Sequence, residues 1–476
     1  MAFLTEAANR GSIATGYDIE NSCKFEADNA EKMTHTYDSA PTSQKKGTIS
    51  LWFKRTEIGS NIGVFQFGDD SSGDYLAVRW GRDIYGSGET YRIRIGGSTN
   101  ITLDGDGAIR DTSAWYHMVI AIDTTQATAS NRFRVYRNGA EVSMSTDNRS
   151  SLTQNTNMAI GENGKDIMIG EGVYKYNGYI AEVNYVDGQQ LTPSDFGEYD
   201  SDSGIWIPKK YTGTYGNNGF YLDFKNASNL GEDQSGNNHD FTLSNITSAN
   251  QATDTPTNNF CTWLSDGQLF STSSTLNISF NEGGTNAKGN TGTGWVYAYS
   301  TQAASSGKWY YEGIVGSAKN CMIGACPVST TARTTNAYLG QESNSTVGFQ
   351  YSDGNIFFYT GYTTWESGGL ATGDIVGFAM DLDNGKAYVS RNGTWFDSAN
   401  PATNYRGLTV SAMTQEPYMF AMARYNPNQD NPFNFGGYTT ISISSGESDE
   451  NGYGNFEYAP PSGYYALCTK NLAEYG

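Results

Sequence analysis

Residues 373–396 read GDIVGFAMDLDNGKAYVSRNGTWF, and their period decides the fold. Val376, Phe378 and Met380 alternate with Gly377, Ala379 and Asp381, the spacing of two that turns one face of a strand toward a core. Asp383-Asn384-Gly385 supplies residue types that tolerate positive φ, as a tight hairpin requires. Ala387-Tyr388-Val389 returns, and Arg391-Asn392-Gly393 turns again before Trp395. The stretch predicts two short antiparallel strands.

Composition extends that reading outward. At 476 residues the chain exceeds one ordinary core, so two or three domains are expected. Gly 56, Tyr 33 and Phe 22 beside 17% charged residues describe a turn-rich chain suited to pleated surfaces. No window holds a helical apolar period over three or four turns, and coiled-coil heptads are absent. No apolar run approaches the ~20 residues that span a bilayer. The opening MAFLTEAANR has neither the basic nor the apolar region of a secretory signal. The expectation is a soluble all-β chain without membrane insertion.

A net charge of −20 leaves no basic stripe to neutralise phosphates, which excludes nucleic acid as a partner. Its plainest reading is solubility. The five cysteines (Cys23, Cys261, Cys321, Cys326, Cys468) are odd in number and widely spread. Cys321 and Cys326 have no second pair and no nearby His, so buried thiols made in a reducing cytoplasm are expected rather than zinc or a disulfide framework.

The first block, 22–224, holds many short alternating strands: ISLWFKR at 49–55, AWYHMVIAID at 114–123, FRVYRNG at 133–139, IMIG at 167–170 and GYIAEVNYVDGQQL at 178–191. Strands of this length and spacing predict a sandwich or jelly roll. Their order resembles a laminin-G-like or pentraxin-like jelly roll, a concanavalin-like fold. A segment at 225–275 reads as a link. Within it GEDQSGNNHD, at 231–240, resembles the loop that abuts a calcium site in some laminin-G-like domains, with His239 in place of a final Asn. That resemblance implies calcium at Asp233, Ser235 and Asn237, while any tight surface turn uses the same composition.

The third block, 276–445, carries GKWYYEG at 307–313, the stretch at 373–396 and NFG at 434–436. It resembles a SPRY domain, a concanavalin-like sandwich that binds partners. A tail, 446–476, follows it, and a polar arm, 1–21, precedes the first block as an attachment or oligomer contact. The fold expected is therefore all-β, two concanavalin-like antiparallel β-sandwiches (jelly rolls) in tandem joined by a short linking segment. With DTPTNNFC at 254–261 and YAPPSGYYALCTKNL at 458–472, the whole order resembles virion proteins of marine bacteriophages. The resemblance implies a place on the particle surface among other virion proteins. A tail-fibre or receptor-binding role toward a host surface glycan or protein follows from it, or a capsid or tail decoration role. By analogy with phage fibres it also implies a homo-oligomer, a trimer first.

Catalysis is not expected. Glycoside hydrolysis needs paired carboxylates, yet Glu182 stands beside Val183 and Asn184, and Glu312 has no acid at i+2 or i+4. His35, His117 and His239 lie far apart in sequence, and His117, inside an apolar strand, reads as packed. For binding, sandwich loops are the usual carriers. The candidates are Trp365 and Tyr362 in TGYTTWESGG, Arg333 in STTARTTNAY and Tyr425 in ARYNPNQDNP, because aromatic faces stack on sugars and Arg forks onto carboxylates. Packing of Trp365 on its own sheet is the competing reading.

Overall fold

A computed structural model describes residues 16–58, 62–69, 74–82, 89–96, 101–105, 109–171, 174–264, 277–291, 294–329, 338–341, 345–358, 361–425 and 430–476. Two compact units divide the chain, Ala14–Thr257 and Asn258–Gly476.

In the N-terminal unit the apolar run Trp115–Asp123 lies inside an eight-stranded sheet. It pairs with Lys46–Arg55 without a bulge from Lys46↔Asp123 to Lys54↔Trp115, and Lys46–Arg55 pairs in turn with Gly178–Asp187. A second eight-stranded sheet, running from Met144–Asp147 to Thr242–Ser244, covers it. Alternation decides which side chains meet. Leu51, Phe53, Met118, Ile120, Ile180 and Tyr185 enter the core from the first sheet, and Phe67, Leu76, Val78, Ile93 and Ile167 from the second.

The expected link at 225–275 is not a link over its first half. Thr242–Ser244 pairs with Lys32–Thr36, and Gln251–Ala252 pairs with Ser22–Phe25. Strands of two or three residues are too short to show a period, so the sequence reads as loop. Asp254 then turns inward. Its carboxylate accepts from Lys54 Nζ at 2.7 Å and from Trp115 Nε1 at 3.0 Å, with Lys54 and Asp254 essentially inaccessible. Of the expected arm 1–21, residues 16–21 lie on this unit: Ile19 is buried, and its N–H and C=O both bond Thr257 Oγ1. Residues 1–15 lie outside the described residues.

The C-terminal unit packs a nine-stranded sheet on a six-stranded one. The hairpin predicted at 373–396 is present: Ile375–Asp381 pairs with Lys386–Arg391, from Val376↔Arg391 to Asp381↔Lys386. Gly385 takes φ 63° in its turn, and Asn392 takes φ 49° in the next. Val376, Phe378 and Met380 are fully buried in the main core. The opposite face is covered as well. Ala379 packs in a second cluster with Phe456, Tyr464 and Ala466, so the tail 446–476 belongs to the sandwich. Tyr465–Ala466 pairs in parallel with Lys308–Ile314. Glu312 fastens the tail: its carboxyl accepts from the Glu457 and Tyr458 amides at 3.0 and 2.9 Å, from Tyr310 Oη and from Asn434 Nδ2. All five cysteines are buried and none forms a disulfide.

Breaking the Lys54–Asp254 pair strands a buried charge. Asp254→Ala is expected to destabilise the N-terminal unit by roughly 3–5 kcal/mol in denaturant titration, while Lys54→Met with Asp254→Leu recovers most of that loss.

Candidate ligand-binding site

The six-stranded sheet of the C-terminal unit runs in the order Val296–Ala304, Tyr418–Arg424, Cys321–Pro327, Val347–Gln350, Asn355–Phe358, Gly361–Thr364. Along Tyr418–Arg424, Tyr418, Phe420 and Met422 enter the main core, whereas Met419, Ala421 and Ala423 form a separate cluster on the outer face. Leu339 caps that cluster and is fully buried. It approaches closely because Gly348 lies beneath it; a Cβ there would stand 2.5 Å from Leu339 Cβ. Gly340, at φ 85°, passes over the Phe357 backbone, where a Cβ would sit 2.3 Å from its carbonyl oxygen. These approaches fix Tyr338 at the rim.

An aromatic row results. Tyr425 and Trp295 have ring centroids 5.6 Å apart, Trp295 and Tyr338 5.6 Å, Tyr338 and Phe357 4.9 Å, Phe357 and Tyr362 5.5 Å. Trp295, Tyr338 and Phe357 are half-buried on the outer cluster, and Tyr362 is 61% exposed. Asn355 Oδ1 accepts from Thr364 Oγ1 beside the row's Tyr362 end. Aromatic faces bordered by phenol hydroxyls and a neutral amide suit a ligand with both apolar faces and hydroxyl edges.

Two of the sequence candidates, Tyr362 and Tyr425, mark the two ends of this row. Trp365 does not join it: its ring packs against the main core, 6.4 Å from Phe396. Arg333 lies outside the described residues. Trp295, Tyr338 and Phe357 escaped the sequence reading. The spacing of Trp295, Tyr297 and Tyr299, three aromatics on one strand face, was the available signal.

The loop at 231–240 in the N-terminal unit has a different chemistry from the one its resemblance implies. Asp233 Oδ1 accepts from the Tyr221 and Ser235 amides, both at 2.9 Å, and Oδ2 from Ser235 Oγ at 2.8 Å and the His239 amide at 2.9 Å. Asn237 turns its amide nitrogen, not its oxygen, inward and donates to the Gly216 and Gly219 carbonyls at 2.8 Å each. The Asp233 oxygens are thus turned toward N–H and O–H donors of their own loop, whereas calcium takes six to eight oxygen ligands. Among the described residues no three His, Cys, Asp or Glu side chains converge. His239 replaces the Asn for packing: its ring lies 4.8 Å from His35 and 5.7 Å from Tyr37. The two histidines distant in sequence are thus neighbours.

His117 is buried, but on the face of its strand opposite Met118, between Trp52 at 4.7 Å and Trp206 at 6.0 Å. Trp206 Nε1 is a donor only, so His117 Nδ1 accepts from it at 3.0 Å and Nε2–H donates to Ser50 Oγ at 2.8 Å. Burial pushes the imidazole down to about 3, so it stays neutral and sealed.

Residues 28–195 match a family model described as the concanavalin A-like lectin/glucanases superfamily. No curated protein matches the chain. Solved structures that it resembles include a heptameric SAP-like pentraxin from Limulus polyphemus, 15% identical over 37% of this chain and 80% of that one, with a TM-score of 0.28. The SPRY domain of human HERC1 is 13% identical over 32% and 89%, with a TM-score of 0.26. A Bacteroides ovatus protein described as carbohydrate binding is 13% identical over 48% and 59%, with a TM-score of 0.32. The chain is nearly all-β, with largely antiparallel sheets arranged as concanavalin-like sandwiches.

Because hydrogen bonds close the loop at 231–240, calcium or a chelator should leave the thermal midpoint of the N-terminal unit unchanged. Asp233→Ala, which strands four donors, should cost roughly 3 kcal/mol in either condition.

Proposed function

We propose that this chain is a non-enzymatic recognition protein on the surface of a phage particle, attaching to host glycan through the aromatic row from Tyr425 to Tyr362. The row is the observation that carries the reading. Pyranose rings expose C–H faces that stack on aromatic rings, and their hydroxyls need donors and acceptors at the edge. Residues 28–195, in the N-terminal unit, match a superfamily of lectins and glucanases, which supports glycan binding by that unit, while the row of the C-terminal unit rests on its own geometry. The particle-surface setting rests on the sequence resemblance alone, as does the homo-oligomer, a trimer first. A trimer would multiply weak contacts into avidity.

The test is titration of purified protein with host surface polysaccharide. Trp295→Ala and Tyr362→Ala should each weaken binding by about 0.5–1.5 kcal/mol, or roughly 2- to 10-fold in Kd, while Trp365→Ala leaves it unchanged. Protein that stays on virions but binds no host polysaccharide or cell would shift the reading to a decoration protein. Sedimentation at micromolar concentration is expected to give three times the monomer mass, and a single monomeric species removes the oligomer from the reading.

A further inference from the structure

Gly178–Asp187 changes partner midway. Residues 178–180 pair with Ser22–Phe25, residues 183–185 pair with Phe220–Leu222, and the register against Lys46–Arg55 slips between Ala181 and Asn184. Glu182 stands in that gap at φ 52°, a left-handed conformation that a long side chain adopts at a cost of order 1–3 kcal/mol. Phe220 and Leu222 enter the core, so Tyr221 between them points outward, and Glu182 meets it there. Glu182 as a residue is only 6% exposed.

Three oxygens close a triangle at this point. Tyr17 Oη and Tyr221 Oη lie 2.9 and 2.8 Å from Glu182 Oε1, and 2.8 Å from each other. Each short edge needs a proton between two oxygens, since an edge without one sets lone pairs face to face. Two phenols supply two protons for three edges. A protonated Glu182 supplies the third, giving a closed ring in which Glu182 donates to Tyr17, Tyr17 to Tyr221 and Tyr221 back to Glu182.

We propose that Glu182 is a proton-operated latch, neutral when the segment around Tyr17 is docked and loosening that segment when it ionises. The remaining groups facing the carboxyl agree with a neutral form. Asp223 follows the Phe220–Leu222 strand and opposes a second negative charge; Lys225, the cation nearby, is partly engaged by Glu20 at 3.3 Å. Tyr215, stacked on Tyr221, gives its hydroxyl to Asn184. Burial, assisted by Asp223, pushes the Glu182 carboxyl from 4.5 up to about 7 against the pull of Tyr221, Tyr17 and Lys225. Ionisation leaves one acceptor forked by two phenols and removes the proton from one edge, so Tyr17 and Tyr221 must part. Beyond Tyr17, the segment is held by the Ile19–Thr257 bonds and the exposed Glu20–Lys225 pair.

The sign follows from linkage. Between about 4.5 and about 7 the folded state keeps a proton that the unfolded state has released, so stability falls as pH rises through that window and levels off above it. Glu182→Gln carries its own N–H donors at every pH. In denaturant titration the wild type should lose roughly 10²-fold in its folding constant relative to Glu182→Gln between pH 5 and pH 8.5. Carboxyl carbon NMR of the full-length wild type should show Glu182 titrating near neutrality. Hydrogen exchange at the Ile19 amide, corrected for its intrinsic rate, should speed up above pH 7 in the wild type and not in Glu182→Gln. Titration near 4.5, or parallel stability profiles for the two proteins, overturns the neutral carboxyl. Ile19 protection that ignores pH overturns the latch, even with a neutral Glu182.

Discussion

Backbone N–H groups that leave a sheet must find an acceptor, and in this chain buried carboxylates provide it. The one α-helix among the described residues is short, Thr469–Tyr475, so few loop donors can be satisfied by a helix. Asp187 accepts from the Thr42, Ser43 and Asn218 amides, and Asp233 from those of Tyr221, Ser235 and His239. Glu312 holds the amides of residues 457 and 458, and Asp449 holds those of Asn451, Tyr453 and Ala466. For the aspartates, charge-assisted bonds are about twice as strong as neutral ones, which offsets part of the several kcal/mol that burying each ion costs; at Glu312 burial pushes the carboxyl up despite its four donors. Part of the acidic excess is therefore structural, beyond the solubility that net charge alone implies.

Carboxylate-pinned loops leave few sheet faces bare. Trp206 lies over His117 in the N-terminal unit, and Phe456 and Tyr464 lie over Ala379 in the C-terminal one. Polar groups on covered outer faces are thereby forced into complete partnerships, as at His117, or into unusual protonation, as at Glu182. The aromatic row occupies the margin of one such cover. Leu339 seals the small residues Ala421 and Ala423, and the larger rings of Trp295, Tyr338 and Phe357 stand around it half-exposed. Rings held in that way lose little freedom on binding.

Much of this was legible in order and alternation. The hairpin at 375–391 announced itself because its period and both turns are local properties. The segment 242–252 did not, since its strands are two or three residues long and their partners lie more than 200 residues earlier. Tyr362 and Trp365 are three residues apart and looked equivalent as loop aromatics. One is exposed on the outer face; the other packs against the main core. The loop at 231–240 was ambiguous for a chemical reason: Asp, Ser and Asn suit a cation or a tight turn equally. The Asn237 amide nitrogen, which donates to the Gly216 and Gly219 carbonyls, serves the turn.

The sequence by itself determined an all-β chain of tandem sandwiches, because period-two alternation and turn residues act over a few neighbours. Tertiary structure alone decided which faces are covered, which carboxylates become hubs, and that Tyr17, Glu182 and Tyr221 share one ring of hydrogen bonds. The ring draws together groups 39 to 204 positions apart in the chain. No local pattern encodes such distances; packing does.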